Sequence, residues 1–272
     1  MRDNLRAMAA ETMAIIEAGR YRSPGGRDVR IDDAIRSAAA GTRLYLPDEE
    51  IPSPVPRGPG ARVTEVTNET SLAAARRLGA GAACLVFASA KHPGGGFLSG
   101  AQAQEESIAR SSALHRCQQA AGEFYDFHRR QRDLRYSDRI IYSPDVPVFR
   151  ADDGTLLDEP YPVSFLTAAA PNLGAIMANQ PAAAASVPDV LTTRAGRVLA
   201  VAAAHGHRKL VLGAWGCGVF RNDPAVVAAA FAGCLARAAG HFDHVVFAVL
   251  AHQRGTPTRA AFGRTVYSSE EW

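Results

Sequence analysis

Cysteine is scarce in this chain, and what is present is scattered. Cys84, Cys117, Cys217 and Cys234 lie far apart and form no CxxC pair. Four scattered cysteines suit reduced thiols in a cytoplasmic setting, and no cluster has metal-ligand spacing, so no bound metal is expected. Long apolar runs are missing as well. The longest purely apolar stretch towards the end, Val245 to Ala251, has the length of one buried strand, whereas a membrane span needs about 20 residues. Arg2, Asp3, Arg6, Glu11 and Glu17 interrupt the first helical segment, so the apolar core of a secretion signal is not expected there. Charge of one sign is not in large excess either: the formal net charge is +3 and the pI near 8.8. That mild basicity suits an anionic ligand and argues against direct nucleic-acid readout. Internal repeats and low-complexity segments are absent beyond ordinary alanine-rich helices.

What remains is core-building material. Of 272 residues, 47% are hydrophobic and 21% charged, which suits one large α/β domain or one domain with an extension. Leu5, Met8, Ala9, Thr12, Ile15 and Ile16 recur at helical spacing and predict a first amphipathic helix that stops at Gly19. Residues 21–60, with Pro24, Gly25, Gly26 and the proline-rich run Ile51 to Pro59, read as loops with one or two short strands. The division expected is an N-terminal extension over 1–60 packed on a core over 61–272. In that core the pattern predicts strands at Arg62 to Thr67, Ala82 to Ala88, Arg139 to Tyr142, Val163 to Ala168, Lys209 to Leu212 and His244 to Leu250. Helices are expected over Ser71 to Leu78, Gln104 to Gly122, Val190 to His205 and Pro224 to Ala239. Alternation of this kind predicts a three-layer α/β/α sandwich with a mixed central sheet. His128 to Arg139 contains five arginines and reads as a solvated loop, with weak steering of a polyanion as the alternative.

Two glycine-rich loops each follow a buried strand. In the first, Gly94, Gly95 and Gly96 lead to Gln104, Glu105 and Glu106 at a helix start. Three glycines in a row can take positive φ and let a ligand lie on the backbone, with N–H groups free to bind phosphate or ribose oxygens. A pair of glutamates at a helix start is ordinarily explained by the helix dipole. Beside such a loop it has a second explanation. Consecutive helical positions point about 100° apart, so one carboxylate can face a scissile bond while the other holds a hydroxyl. The second loop runs from Gly213 to Pro224, with Gly216 and Gly218 giving close approach and Asn222 or Asp223 capping the next helix ahead of Pro224. That makes a second phosphate site at a helix N-terminus. Neither loop carries the Walker lysine, and the spacing is not the dinucleotide fingerprint. Phe220 is either a core residue or a stacking face for a sugar or base.

Gly94-Gly95-Gly96, seven intervening residues and Gln104-Glu105-Glu106 resemble the signature of the poly(ADP-ribose) glycohydrolases. The resemblance extends from about Val66 to Leu250 and takes in VTNET at Val66 to Thr70, IIYSPDVPVF at Ile140 to Phe149, TAAAPN at Thr167 to Asn172 and the loop Gly213 to Phe220. It looks like the compact bacterial-type branch. This resemblance implies a macrodomain with ADP-ribose in a cleft at the ends of the central strands. Glu106 matches the catalytic acid and Glu105 its substrate-positioning partner. Gly94, Gly95, Gly96 and Gln104 would line the ribose and diphosphate, and Gly216, Cys217, Gly218, Val219 and Phe220 would wrap the diphosphate from the other side, with Phe220 near the terminal ribose. Asn68 and Glu69 would help define the adenine end, and Thr258 and Arg259 would close one end of the cleft. The implied reaction is hydrolysis of the ribose–ribose bond of poly(ADP-ribose), from chain ends, without cofactor or metal. The partners implied are the polymer, ADP-ribose and poly(ADP-ribosyl)ated proteins, met by a monomer away from membranes. A non-catalytic ADP-ribose reader and a mono-ADP-ribosyl hydrolase are the rival readings; the reader has no use for the glutamate pair.

Overall fold

The computed structural model describes residues 2–52, 62–251 and 257–268. Most of the proline-rich run, and the boundary expected between residues 60 and 61, lie outside the described residues. The chain opens with α1 (Arg2–Ala18), which ends where Gly19 takes φ +64° and returns its N–H to Ile15. A small hairpin of β1 (Arg20–Arg22) and β2 (Asp28–Arg30) follows, then α2 (Asp32–Ala40) and β3 (Arg43–Tyr45). The core proceeds through β4 (Val63–Thr67), α3 (Ser71–Leu78), β5 (Ala82–Phe87), α4 (Gln104–Ser111), α5 (Leu114–Ala120) and α6 (Glu123–Arg130). It continues with β6 (Ile140–Arg150), β7 (Leu156–Ala168), α7 (Leu173–Asn179), α8 (Val187–Ala204) and β8 (Lys209–Gly213). It closes with α9 (Pro224–Arg237), β9 (His244–Ala248) and α10 (Pro257–Ser268).

Seven strands form one mixed sheet in the order β3-β6-β7-β5-β8-β9-β4. The run from β7 to β4 is parallel throughout, while β6 lies antiparallel to both β7 and β3. Alternation along β5 shows how the layers are made. Ala83 and Leu85 join the cluster under α8, α9 and α10, whereas Cys84 and Val86 join the one under α2, α3 and α5. Both faces are dry, which is why this strand reads as a continuous apolar run.

Three expectations are corrected here. The segment before residue 60 contains a helix, α2, and its β3 joins the main sheet by pairing Arg43 with Tyr142 and Tyr45 with Ile140. Ile31 offers no side-chain cap to α2; the helix is held by burial of Ile35 and Ala38, a tertiary effect with little local signal. The helix expected over Gln104 to Gly122 is broken. Ser112 is extended (φ −146°, ψ 174°) and bridges to Val148, and Ala113 donates to Pro147 O at 3.1 Å, so β6 captures the chain between α4 and α5. The strands expected at Arg139 to Tyr142 and Val163 to Ala168 are fragments of a long β6–β7 hairpin. Pro144, Pro147, Pro160 and Pro162 and two register shifts hide its continuity.

The first helix is welded to the core behind α4. Thr12 is fully buried; its Oγ1 donates to Arg110 O at 2.6 Å, and the buried Arg150 donates to the same carbonyl at 3.3 Å and to Glu11 at 2.8 Å. Arg2 and Arg6 donate to Ser99 O at 3.2 and 3.1 Å, fixing the short 3-10 turn at Phe97–Ser99. Thr12→Val keeps the shape and deletes the donor. It is expected to lower unfolding free energy by about 1–2 kcal/mol, read from the urea midpoint; an unchanged midpoint would contradict this coupling.

Candidate active site

β7, β5, β8, β9 and β4 run parallel and so end on one edge of the sheet, where Gly94 to Gly96 follow β5, Gly213 to Pro224 leave β8, and Asn68 and Glu69 follow β4. In an open α/β sheet the crevice outside the carboxyl ends of the strands is where ligands settle. Gln104 clasps α4 to the end of β5: its Oε1 accepts from Phe87 N at 2.9 Å, and its Nε2 donates to Leu85 O at 2.7 Å and Ser71 Oγ at 3.0 Å. Its amide is thus engaged by the scaffold, and its contribution here is to place the two residues that follow.

Those residues turn back onto the glycine loop. Glu105 is 2% exposed; its Oε2 accepts from Ser89 N at 2.6 Å and its Oε1 from Gln118 Nε2 at 3.0 Å. Burial, the larger cause, pushes its carboxyl up to about 8, and the charge of Glu106 acts in the same direction against the Ser89 and Gln118 hydrogen bonds. Glu106 is half-buried and its Oε1 accepts from Gly96 N at 3.0 Å. These hydrogen bonds run from helix to loop. The helix-dipole explanation alone does not account for them, since a cap would bind the first turn of α4, where Ala103 supplies no side chain. Two carboxyl groups with different burial and different partners sit beside one backbone cradle: Glu105 is buried and held at both oxygens, while Glu106 is the more accessible of the two.

Gly94 and Gly95 have φ of +67° and +59°, whereas Gly96 is at −98°. The requirement for glycine is sharpest at Gly95. A Cβ there would lie 2.4 Å from Glu106 Oε1 and 3.1 Å from Glu105 Oε2. Gly95→Ala is therefore expected to displace both carboxylates and lower turnover roughly tenfold through misplacement of the acid. Steady-state kinetics with melting-temperature control checks this; unchanged turnover would mean that the loop and the carboxylates are not coupled.

The second loop leaves β8, the neighbour of β5. Gly216 has φ +70°, and a Cβ there would meet Asn222 Nδ2 at 2.4 Å and Ala170 at 2.6 Å. Asp223, with Oδ1 accepting from Ala225 N at 2.7 Å, caps α9, and Pro224 opens it. Asn222 has the other task, donating to Pro171 O at 2.9 Å and Gly216 O at 3.2 Å to hold the loop closed. Cys217 is half-buried with its thiol pushed up to about 12 by burial, so it carries little thiolate near neutral pH. Gly218 and Val219 are exposed, and Phe220 is half-buried against the core with its ring centroid 6.0 Å from that of Tyr136.

Asn68 and Glu69 lie at the end of β4, three strands from β5 and roughly 14 Å away at ordinary strand spacing. Asn68 Oδ1 accepts from Ala251 N at 2.7 Å, and Glu69 pairs with Arg77 at 2.7 Å. Thr258 and Arg259 fall in the first turn of α10, which packs on β4 and α9. Sequence reasoning missed the group behind Glu105. Tyr125 is fully buried, its hydroxyl lacks a protein partner among the described residues, and burial and the Glu105 charge raise it well above the ordinary phenol range. Gln118 Oε1 is in the same position. Both come from other helices, so no spacing relative to Glu105 signals them. Among the described residues no three His, Cys, Asp or Glu side chains gather around a metal position.

The family model of the microbial-type PARG catalytic domain matches residues 9–151. No curated protein matches the chain. A crystal structure of poly(ADP-ribose) glycohydrolase from Thermomonospora curvata is 53% identical, covering 97% of this chain and 99% of that one at a TM-score of 0.89. The same enzyme bound to the inhibitor ADP-HPD aligns over 96% of this chain and 99% of that one at 0.87, also at 53% identity. Poly(ADP-ribose) glycohydrolase from Deinococcus radiodurans in complex with ADP-ribose is 44% identical over 88% of this chain and 99% of that one, with a TM-score of 0.81. The three-layer sandwich described above is thus macrodomain-like, and the chain belongs to the microbial-type poly(ADP-ribose) glycohydrolase family.

Proposed function

We propose that this chain hydrolyses the ribose–ribose O-glycosidic bond of poly(ADP-ribose) and releases ADP-ribose, taking its substrate from poly(ADP-ribosyl)ated proteins. The observation that carries the reading is the pair of carboxyls hung on the glycine loop, Glu106 on Gly96 N and the buried Glu105 on Ser89 N. Glu106 serves as the general acid, passing a proton to the leaving ribose oxygen while positive charge develops at the anomeric carbon. The resulting carboxylate then takes a proton from the water that completes the reaction. Opposed carboxylates are the usual arrangement in glycosidases. Here the two are sequence neighbours, so one group serves first as acid and then as base. Glu105, buried and fixed at both oxygens, holds a ribose hydroxyl in register. The relatives named above support the ligand: one is bound to ADP-ribose and another to ADP-HPD.

Cleavage from chain ends follows from the resemblance to the compact bacterial-type branch. A cytoplasmic setting fits the four free, widely spaced cysteines. Polymer of defined length, sampled before each chain has been cut once, tests the direction of attack. ADP-ribose with gradual shortening is expected; early oligomers of intermediate length would overturn end-directed action, and intact polymer would overturn the hydrolase reading.

A further inference from the structure

The segment 131–139 between α6 and β6 is held by a buried cation. Arg194 on α8 is 1% exposed and donates Nε to Asp138 Oδ1 at 2.8 Å, and Nη1 to Arg135 O at 3.0 Å and Ala169 O at 2.6 Å. Ala169 directly follows β7, so this guanidinium ties the segment to the edge of the sheet where the cleft lies. Two further bonds fix its other side: Leu134 N donates to Gln180 Oε1 at 3.0 Å, and Leu134 O accepts from Asn172 N at 3.0 Å. In the middle stands Tyr136 with φ +62°. Left-handed backbone at a bulky aromatic residue costs about 1–2 kcal/mol and persists only where the surroundings impose it.

What that backbone achieves is the direction of the ring. Tyr136 packs on the cluster containing Ala90, Phe124, Tyr125 and Ala169, and its ring is perpendicular to that of His128 at 5.8 Å. His128 is itself locked, with Nδ1 against Phe124 O at 2.7 Å and Nε2 against Ser137 Oγ at 2.8 Å. From this rigid base the Tyr136 ring reaches Phe220 at 6.0 Å and 47°. Phe220 also packs on the main core cluster, but the loop residues before it are open. Its preceding residue Val219 is 84% exposed, a Cβ on Gly218 would touch nothing within 4 Å, and Arg221 has φ +58°. The Phe220 carbonyl is anchored by Gly174 N at 2.9 Å.

We propose that Tyr136 is a positioning residue that holds the Phe220 ring at the ribose side of the cleft. The proposal rests on the glycohydrolase reading for the identity of the ligand. Arg194 fixes the segment, the left-handed backbone at Tyr136 aims the ring, and the ring sets where Phe220 meets the sugar. Loss of the Tyr136 ring weakens ligand binding only through Phe220.

A double-mutant cycle reads this dependence. Tyr136→Phe retains the ring and is expected to behave as the wild type. Tyr136→Gly and Tyr136→Asn both tolerate positive φ and lack the ring; each is expected to weaken ADP-ribose binding and kcat/KM on polymer about tenfold while the melting temperature changes little. Combined with Phe220→Ala, either change is expected to add nothing to the loss caused by Phe220→Ala alone. Additive losses, a wild-type Tyr136→Gly, or a Tyr136→Phe as impaired as the glycine variant would each overturn the proposal. Calorimetric binding of ADP-ribose carries the cycle independently of turnover. A wild-type chain that binds ADP-ribose but leaves polymer intact would count against the glycohydrolase reading, and the cycle would still decide the role of Tyr136.

Discussion

Glu106→Gln is expected to lower ADP-ribose release from polymer by about 10³-fold, within the range that general acid–base groups supply, while ADP-ribose affinity stays within a few fold. The amide keeps the size of the side chain, and its Oε1 can still accept from Gly96 N, the bond that holds Glu106 to the loop. What it loses is an acidic proton for the leaving oxygen and a carboxylate base for the water. A selective loss of kcat, with binding preserved by calorimetry, is the signature of a group used in the transition state. Near-normal turnover in this variant would mean that another group is the acid.

Glu105→Gln is the second large effect, and it moves activity and stability in opposite directions. Turnover is expected to fall about 10²-fold because the hydroxyl of the substrate is no longer held by a carboxyl in register. Stability is expected to rise. With its carboxyl pushed up to about 8 by burial, folded Glu105 holds a proton that the unfolded chain has released above about 4.5. Across that window the native state binds more protons than the unfolded state, so this group makes stability decline as pH rises, with a slope of at most about 1.4 kcal/mol per pH unit. An amide removes that dependence. It also finds partners: its oxygen can take the Ser89 N–H, and Gln118 can rotate to offer the Oε1 that lacks a protein partner. Urea denaturation at pH 5, 7 and 8.5 checks this. The gap between variant and wild type should widen with pH, and a constant gap would show that Glu105 is charged in the folded state.

The parts of this molecule that were legible in sequence are those whose chemistry is local. Ala82–Phe87 is apolar on both faces and can only be a central strand. Thr70 and Gly79 bracket α3 as cap and stop, and Gly94 and Gly95 advertise backbone that other residues resist. The glutamates were legible for the same reason, since they follow that loop at a helix start. Elements imposed by distant partners were not. α2 exists because Ile35 and Ala38 find a core to enter, and the break at Ser112 exists because β6 offers a bridge at Val148. Gln118 and Tyr125 reach Glu105 from helices whose placement depends on that break. Tyr136 and Arg194 carry no sequence signal either: a left-handed tyrosine and a buried arginine become visible only when the segment between α6 and β6 is seen folded against the cleft.

A carboxyl pair on a glycine loop distinguishes a hydrolase of the polymer from a reader of ADP-ribose. The same enzyme is given purified poly(ADP-ribose) and a mono-ADP-ribosylated protein, and free ADP-ribose is measured by chromatography. Rapid release from the polymer, little from the mono-modified protein, and loss of the polymer reaction in Glu106→Gln are expected. Tight ADP-ribose binding with no release from the polymer, or preferential release from the mono-modified protein, would contradict the polymer-hydrolase reading.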